Sequence, residues 1–271
     1  MIKNLQFLFL LIVNSTSRAA IVKKNCIVSG HPERYYSQIA FAFGIPVMAT
    51  REVHPSAIAL TCKYLEFLIN NNLEIVGNLQ RRNHRVVILG RHQEIAKDIL
   101  EYSGLSQKPS TRGLGGTRGN PVTVIPEENV LCLKEDKQPG DIIIHELAHA
   151  IHLIGTPRGL LKTVAQAYKH AKNKSLFFYK YAASNPREYF AVGVQAFFNR
   201  AYSDSYATFD LPWNRQIRIT RQDLMIKDPV LFDIIENVMK KSENWHLPSR
   251  CDVFSDGIQS PDTTIQLFGI L

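Results

Sequence analysis

The sequence lacks any apolar run approaching the ~20 residues that would cross a membrane as a helix, and it has no internal repeat and no low-complexity linker. These absences exclude an integral helical membrane protein, a repeat array and a string of plainly separated domains. Cysteine is scarce: Cys26, Cys62, Cys132 and Cys251 are the four in 271 residues, and they lie too far apart for a CxxC metal knuckle. A glycine-rich stretch from Arg112 to Pro121 has no Lys-Ser/Thr ending, so it is not a phosphate loop. The formal charge of +8 could point to an acidic partner, but the basic residues are scattered. Arg81, Arg82 and Arg85 form one loose group and Arg112 with Arg118 another, neither interleaved with stacking aromatics, which argues against nucleic acid.

What is present begins at the N-terminus. One positive charge at Lys3 precedes a nearly unbroken apolar stretch from Leu5 to Val13, and Asn14 to Ala20 supplies small residues. This is the pattern of a signal peptide over residues 1–20, cleaved within Ser17-Arg18-Ala19-Ala20. The chain is therefore expected to be secreted, with no stable membrane insertion. The remainder, residues 21–271, is long enough for one domain with a full core. Residues 21–110 could form an N-terminal subdomain or an inhibitory segment. An oxidising compartment favours two disulfides, and the expected one ties the ends together as Cys26–Cys251. Asn173-Lys174-Ser175 is a glycosylation acceptor if the pathway is eukaryotic.

Periodicity assigns a helix to Pro55–Leu73, a buried strand to Arg85–Gly90, and short strands to Val122–Ile125 and Val130–Leu133 around a turn at Pro126–Asn129. Four glycines at positions 113, 115, 116 and 119 forbid a stable helix. That segment is expected to be a flexible surface loop, with a substrate-contacting flap as the alternative. Helices are predicted from Pro139 to Ile154, stopped by Gly155 and Pro157, then over Gly159–Lys172, Asn185–Tyr202 and Pro229–Lys241. Strands before the centre and helices after it define an α+β domain.

The central helix carries His145-Glu146-Leu147-Ala148-His149. Two histidines four residues apart on a helix project from nearly one face, so both imidazoles can reach a single metal ion. Glu146 lies beside that face, where a carboxylate serves as general base toward an activated water. Among Ile142, Ile143, Ile144, Leu147, Ala148 and Ile151, burying these three side chains without a metal would be costly.

Catalytic zinc requires a third protein ligand. His152 lies ~10 Å of helical rise from His145 and cannot complete the site. The histidine spacing of the long metzincin motif fails, because the expected glycine and histidine positions hold His152 and Gly155. Cys132 could pair with this motif, yet outside the cell it belongs in a disulfide. Glu188 opens a later helix in Asn185-Pro186-Arg187-Glu188. Its competing role is a capping box with Asn185; because the histidine pair demands a partner, Glu188 is the expected ligand.

Together Glu127-Glu-Asn-Val-Leu-Cys-Leu133, the His145–His149 helix and Tyr181-Ala-Ala-Ser-Asn-Pro-Arg-Glu-Tyr-Phe-Ala191 resemble the catalytic domain of the anthrax lethal factor-like family of zinc peptidases. The resemblance spans about Gly44 to Arg200. It implies a zincin-like α+β fold with a small mixed sheet followed by the active-site and ligand-bearing helices. It also implies a gluzincin site with His145, His149 and Glu188 on Zn2+, Glu146 as base and Tyr181, seven residues before Glu188, at the catalytic centre. The toxin's other domains have no counterpart. The expected activity is hydrolysis of peptide or protein substrates, with a zinc-binding protein without turnover, or a zymogen, as the rival reading.

Overall fold

The structure is a computed structural model, and it describes residues 24–106, 108–133, 141–177, 180–202 and 218–239. Residues 1–20, the expected signal peptide, together with Pro139 and Cys251 lie outside the described residues.

Three strands open the described residues: β1 (Lys24–Gly30), β2 (Gln38–Ala42) and β3 (Ile45–Ala49). Two helices follow, α1 (Pro55–Ile69) and α2 (Leu73–Arg81), then β4 (Arg85–Leu89), the short α3 (Ile95–Asp98), β5 (Val122–Pro126) and α4 (Glu127–Leu131). The remaining described residues are mainly helical: α5 (Ile142–Ala150), α6 (Arg158–Lys174), α7 (Pro186–Phe197), α8 (Arg221–Lys227) and α9 (Pro229–Met239), with a small ribbon of β6 (Ala201–Tyr202) and β7 (Arg218–Ile219). The main sheet runs β1-β2-β3-β4-β5 in space. Its first three strands are antiparallel, and β3, β4 and β5 are parallel. This is the expected α+β fold: a small mixed sheet, then helices that carry a candidate metal cluster. No described helix is long and apolar enough to cross a membrane.

The helix read over Pro55–Leu73 breaks at Asn70, and Leu73 begins α2. The apolar run Val130–Leu133 is not a strand. Glu127 and Glu128 start α4 directly after β5, and Cys132 ends it with left-handed backbone, φ 58°. A four-residue apolar run fits either conformation by pattern alone. Here the acidic side chains decide: Glu127 accepts from the His54 and Arg91 amides, and Glu128 from Arg112. The helix expected from Asn185 to Tyr202 ends at Phe197, where Asn199 takes φ 58° and the chain turns into β6.

Cys26 pairs with Cys62, not with Cys251, tying β1 to α1 rather than joining the two ends of the chain. No described cysteine is free, and Cys132 is also disulfide-bonded.

One continuous core lies between the sheet and the helices. Within it α5 and α7 form the most closely packed helix pair. From Tyr189 to Phe197 every residue of α7 is buried. Large side chains such as Phe190 and Phe197 each contribute about 2 kcal/mol by leaving water. Gly193 lets α9 approach, since a Cβ there would stand 2.6 Å from Leu231 and 2.8 Å from Ile235. The central helices are thus held from both sides.

Candidate active site

Helix α5 starts where Asp141 accepts from the Ile144 amide at 3.2 Å, the N-cap bond that a short acidic side chain makes well. Because α5 begins at Ile142, its apolar face, Ile143, Ile144, Leu147 and Ala148, packs into the core and its histidines face α7. The helix ends by widening over Ile151–Gly155, with the Thr156 amide reaching back five residues to the Ile151 carbonyl at 2.9 Å. His152 falls in this widened turn. It is buried and stacks on Phe190 at 4.5 Å, away from the metal-ligand cluster, and burial lowers its pKa to about 3.

Helix α7 is started by Asn185, whose side-chain oxygen accepts from the Arg187 and Glu188 amides at 2.9 and 3.2 Å, with Pro186 at the first position. The cap therefore needs no help from the Glu188 side chain. That carboxylate turns inward, with Oε2 2.9 Å from His145 Nε2 and 3.3 Å from His149 Nε2. The two imidazole Nε2 atoms are 3.1 Å apart. His145, His149 and Glu188 are the one such His/Cys/Asp/Glu group found among the described residues, with donor atoms all within 4.8 Å of one another.

The donor set fits a divalent cation. Gln195 places its Oε1 3.1 Å from His145 Nδ1, while its Nε2 donates to the Asp141 carbonyl at 3.0 Å. An amide oxygen only accepts, so Nδ1 carries a proton and Nε2 is the ring nitrogen that faces the cluster. Two imidazole nitrogens and a carboxylate oxygen thus converge on one point, a set of ligand atoms that a divalent cation takes. Ligands about 2.1 Å from a tetrahedral zinc ion stand about 3.4 Å apart, somewhat wider than the 2.9–3.3 Å observed. Burial opposes charge on His145 and on Glu188, but their mutual contact wins: His145 is held above its usual range and the Glu188 carboxyl far below its own.

Glu146 is buried next to this cluster without belonging to it. Burial raises its pKa, against the opposing influence of His145 and His149, which suits a group that must accept a proton. Tyr181 is 50% exposed, with its ring 5.8 Å from that of His145. It therefore lies beside the cluster, at the solvent side.

The glycine-rich segment is not a loose loop. Leu114 exchanges both backbone hydrogen bonds with Val124, at 3.1 and 2.8 Å, so the segment runs antiparallel along the outer edge of β5. Gly113 and Gly115 face α5, and neither has room for a side chain. A Cβ on Gly113 would stand 2.6 Å from Glu146 Oε1, and one on Gly115 would stand 2.7 Å from His149 Cγ. Glycine is required here for close approach rather than for flexibility.

Both ends of this strap are clamped. Arg112 makes a two-pronged pair with Glu128 at 2.6 and 2.9 Å and also donates to the Gly90 carbonyl. Arg118 donates to the Leu153 and Thr156 carbonyls at 2.7 and 2.9 Å. The Gly116 amide is held by Thr123 Oγ1, which also contacts buried His84. Sequence reading missed Arg112, Arg118 and Gln195 as parts of this site. Only Gln195 carried a signal: seven residues after Glu188 it shares that residue's helix face.

The ligand cluster is spaced like the HExxH-plus-glutamate set of gluzincin metallopeptidases and matches a metallopeptidase active site. No family model matches the chain, and no curated protein matches it. Among solved structures, the Pro-Pro endopeptidase of Paenibacillus alvei superposes with a TM-score of 0.42 at 15% identity, covering 71% of this chain and 96% of that one.

Proposed function

We propose that the chain is a secreted, zinc-dependent endopeptidase, with a signal peptide over residues 1–20 and a single catalytic domain over residues 21–271. The observation that carries this reading is the convergence of His145, His149 and Glu188 on one point with the buried carboxylate of Glu146 beside it. A structural metal site needs no adjacent base; a hydrolytic one does. The resemblance to the anthrax lethal factor-like catalytic domains supports the same assignment of residues. The Cys26–Cys62 disulfide agrees with an oxidising compartment.

Zinc in this site would supply Lewis acidity at the scissile carbonyl and bring the pKa of water toward about 7. Glu146 takes the proton of the attacking water and returns it to the leaving amine. The Tyr181 phenol donates a hydrogen bond to the carbonyl oxygen as negative charge develops there. The strap supplies a place for the substrate backbone. Leu114 points its N–H and C=O toward β5, so those of Gly113 and Gly115 point to the opposite edge, where they have no backbone partner among the described residues. An extended peptide pairing along that edge is brought past Glu146 and His149. A binding edge made of main chain, with Tyr181 exposed to solvent beside the cluster, fits an internal segment of a peptide. The sequence offers no acidic motif upstream of the site to hold a free α-amine, which disfavours an aminopeptidase.

The test is Glu146→Gln in zinc-loaded protein presented with a diverse peptide library. The variant should keep its zinc and its fold and lose hydrolysis. Equal turnover by variant and wild type would remove Glu146 as the base, and an inert wild type with full zinc would leave a binding protein in place of an enzyme.

A further inference from the structure

The Gln195 side chain is 4% exposed and spans two helices. Its Nε2 donates to the carbonyl of Asp141, the residue that caps α5, and its Oε1 meets His145 Nδ1. The Asp141 carbonyl cannot donate, so it fixes which end of the amide is oxygen. That in turn fixes the proton of His145 on Nδ1. Gln195 lies on α7 two turns beyond Glu188 and on the same helix face, so one helix delivers both the carboxylate and the group that orients the imidazole opposite it.

We infer that Gln195 is the positioning residue of the metal centre: it sets the tautomer and ring angle of His145 and locks the start of α5 to the ligand-bearing stretch of α7. The inference rests on the reading of the cluster as a zinc site, not on turnover. A ring free to rotate about its Cβ–Cγ bond would present Nδ1 and Nε2 to the cluster in turn; the bond to Gln195 removes that freedom before any ion arrives. An amide does this without placing a second negative charge behind the imidazole. The charge facing a bound cation therefore comes from Glu188 alone among the three ligands.

Outer hydrogen-bond partners of metal-bound histidines are typically worth 10- to 100-fold in metal affinity. The experiment compares zinc dissociation constants, by chelator competition, for wild type, Gln195→Met and Gln195→Glu, together with the His145 Nδ1–H proton resonance of the zinc-loaded, nitrogen-15-labelled proteins and the melting of the metal-free forms. Gln195→Met keeps the volume and removes both hydrogen bonds. It should weaken zinc by about 10- to 100-fold and lose the slowly exchanging Nδ1–H signal. Gln195→Glu keeps an acceptor for Nδ1–H and should bind zinc at least as tightly as wild type while melting lower, because it loses the donor to Asp141. If both variants melt lower but bind zinc with unchanged affinity, Gln195 is a core residue only and the inference is overturned. Wild-type protein that takes up no zinc would overturn the metal centre itself, whereas wild type that binds zinc without cleaving peptides would overturn only the proposed activity.

Discussion

Replacing Gly115 with alanine adds one methyl group where the structure has no space for it. The new Cβ would overlap His149 Cβ and stand 2.7 and 2.8 Å from Cγ and Cδ2 of the same ring. Comfortable carbon contacts lie at about 3.5–4.0 Å, so either the strap retreats or the imidazole swings away by roughly 1 Å. The strap is poorly able to retreat. Leu114 is hydrogen-bonded to Val124 on both sides, Arg112 is paired with Glu128, and Arg118 is anchored on the widened turn that ends the His145–His149 helix. Most of the displacement therefore falls on His149. Overpacking of this kind costs about 1–3 kcal/mol, which for a domain of this size lowers the melting temperature by roughly 2–12 °C. A ligand ring misplaced by about 1 Å should also cost on the order of 10²-fold in turnover and at least about 10-fold in zinc affinity. The assay is thermal melting of metal-free and zinc-loaded protein beside zinc competition and peptide hydrolysis. Gly119→Ala serves as the control, because a Cβ there would be 4.0 Å from its nearest neighbour, Thr117 Oγ1. If Gly115→Ala melts, binds zinc and turns over like Gly119→Ala, the strap does not press on His149 and the argument for its role is wrong.

Other outcomes follow from the same geometry. Tyr181→Phe should lower kcat by about 10²-fold, the scale of one lost oxyanion donor, with KM and zinc content little changed; unchanged kcat in steady-state assays would exclude the role. Glu188→Ala should abolish zinc binding at stoichiometric metal while α7 still forms, because Asn185 caps it independently; full zinc occupancy by elemental analysis would contradict the ligand set. His84 is buried and neutral, its pKa pushed down to about 3 by burial and by Arg85. The unfolded chain takes up a proton there near pH 6.5 and the folded protein does not until about pH 3, so stability should fall with decreasing pH across that window, by up to about 1.4 kcal/mol per pH unit. Denaturant titrations should show a shallower acid slope for His84→Gln; the same slope in both proteins would mean that His84 does not drive the acid loss.

The legible parts of the site were those written in local spacing. Histidines four residues apart on a helix share a face whatever surrounds them, so His145 and His149 could be paired before any contact was known. Asn185-Pro186 announces a helix start in the same local way, which put Glu188 in its first turn. Whether the Glu188 carboxylate capped its own helix or faced the histidines was beyond spacing, because both uses begin from the same backbone position. The cap turned out to be complete without it, and the packing of α7 on α5 sent the carboxylate inward. The disulfide was misread for a comparable reason. Cys26 and Cys62 are neighbours only because α1 packs back on β1 and β2, a non-local arrangement that the positions of cysteines in a sequence do not encode.

The glycine strap marks the boundary most clearly. Glycines in succession exclude a helix, and that much is a property of their backbone alone. By the same pattern the segment could equally have been a mobile loop. What distinguishes it is a hydrogen-bonded pairing with β5, its own two arginines anchored on distant parts of the chain, and contact with Glu146 and His149 closer than any side chain would allow. The sequence by itself determined which residues could hold a metal and supply a base, because donor chemistry and helical periodicity are local. Only the tertiary structure decided that Glu188 faces the histidines, that Gln195 meets His145 from behind and that the strap lies against Glu146 and His149, because each depends on which surfaces the core brings together.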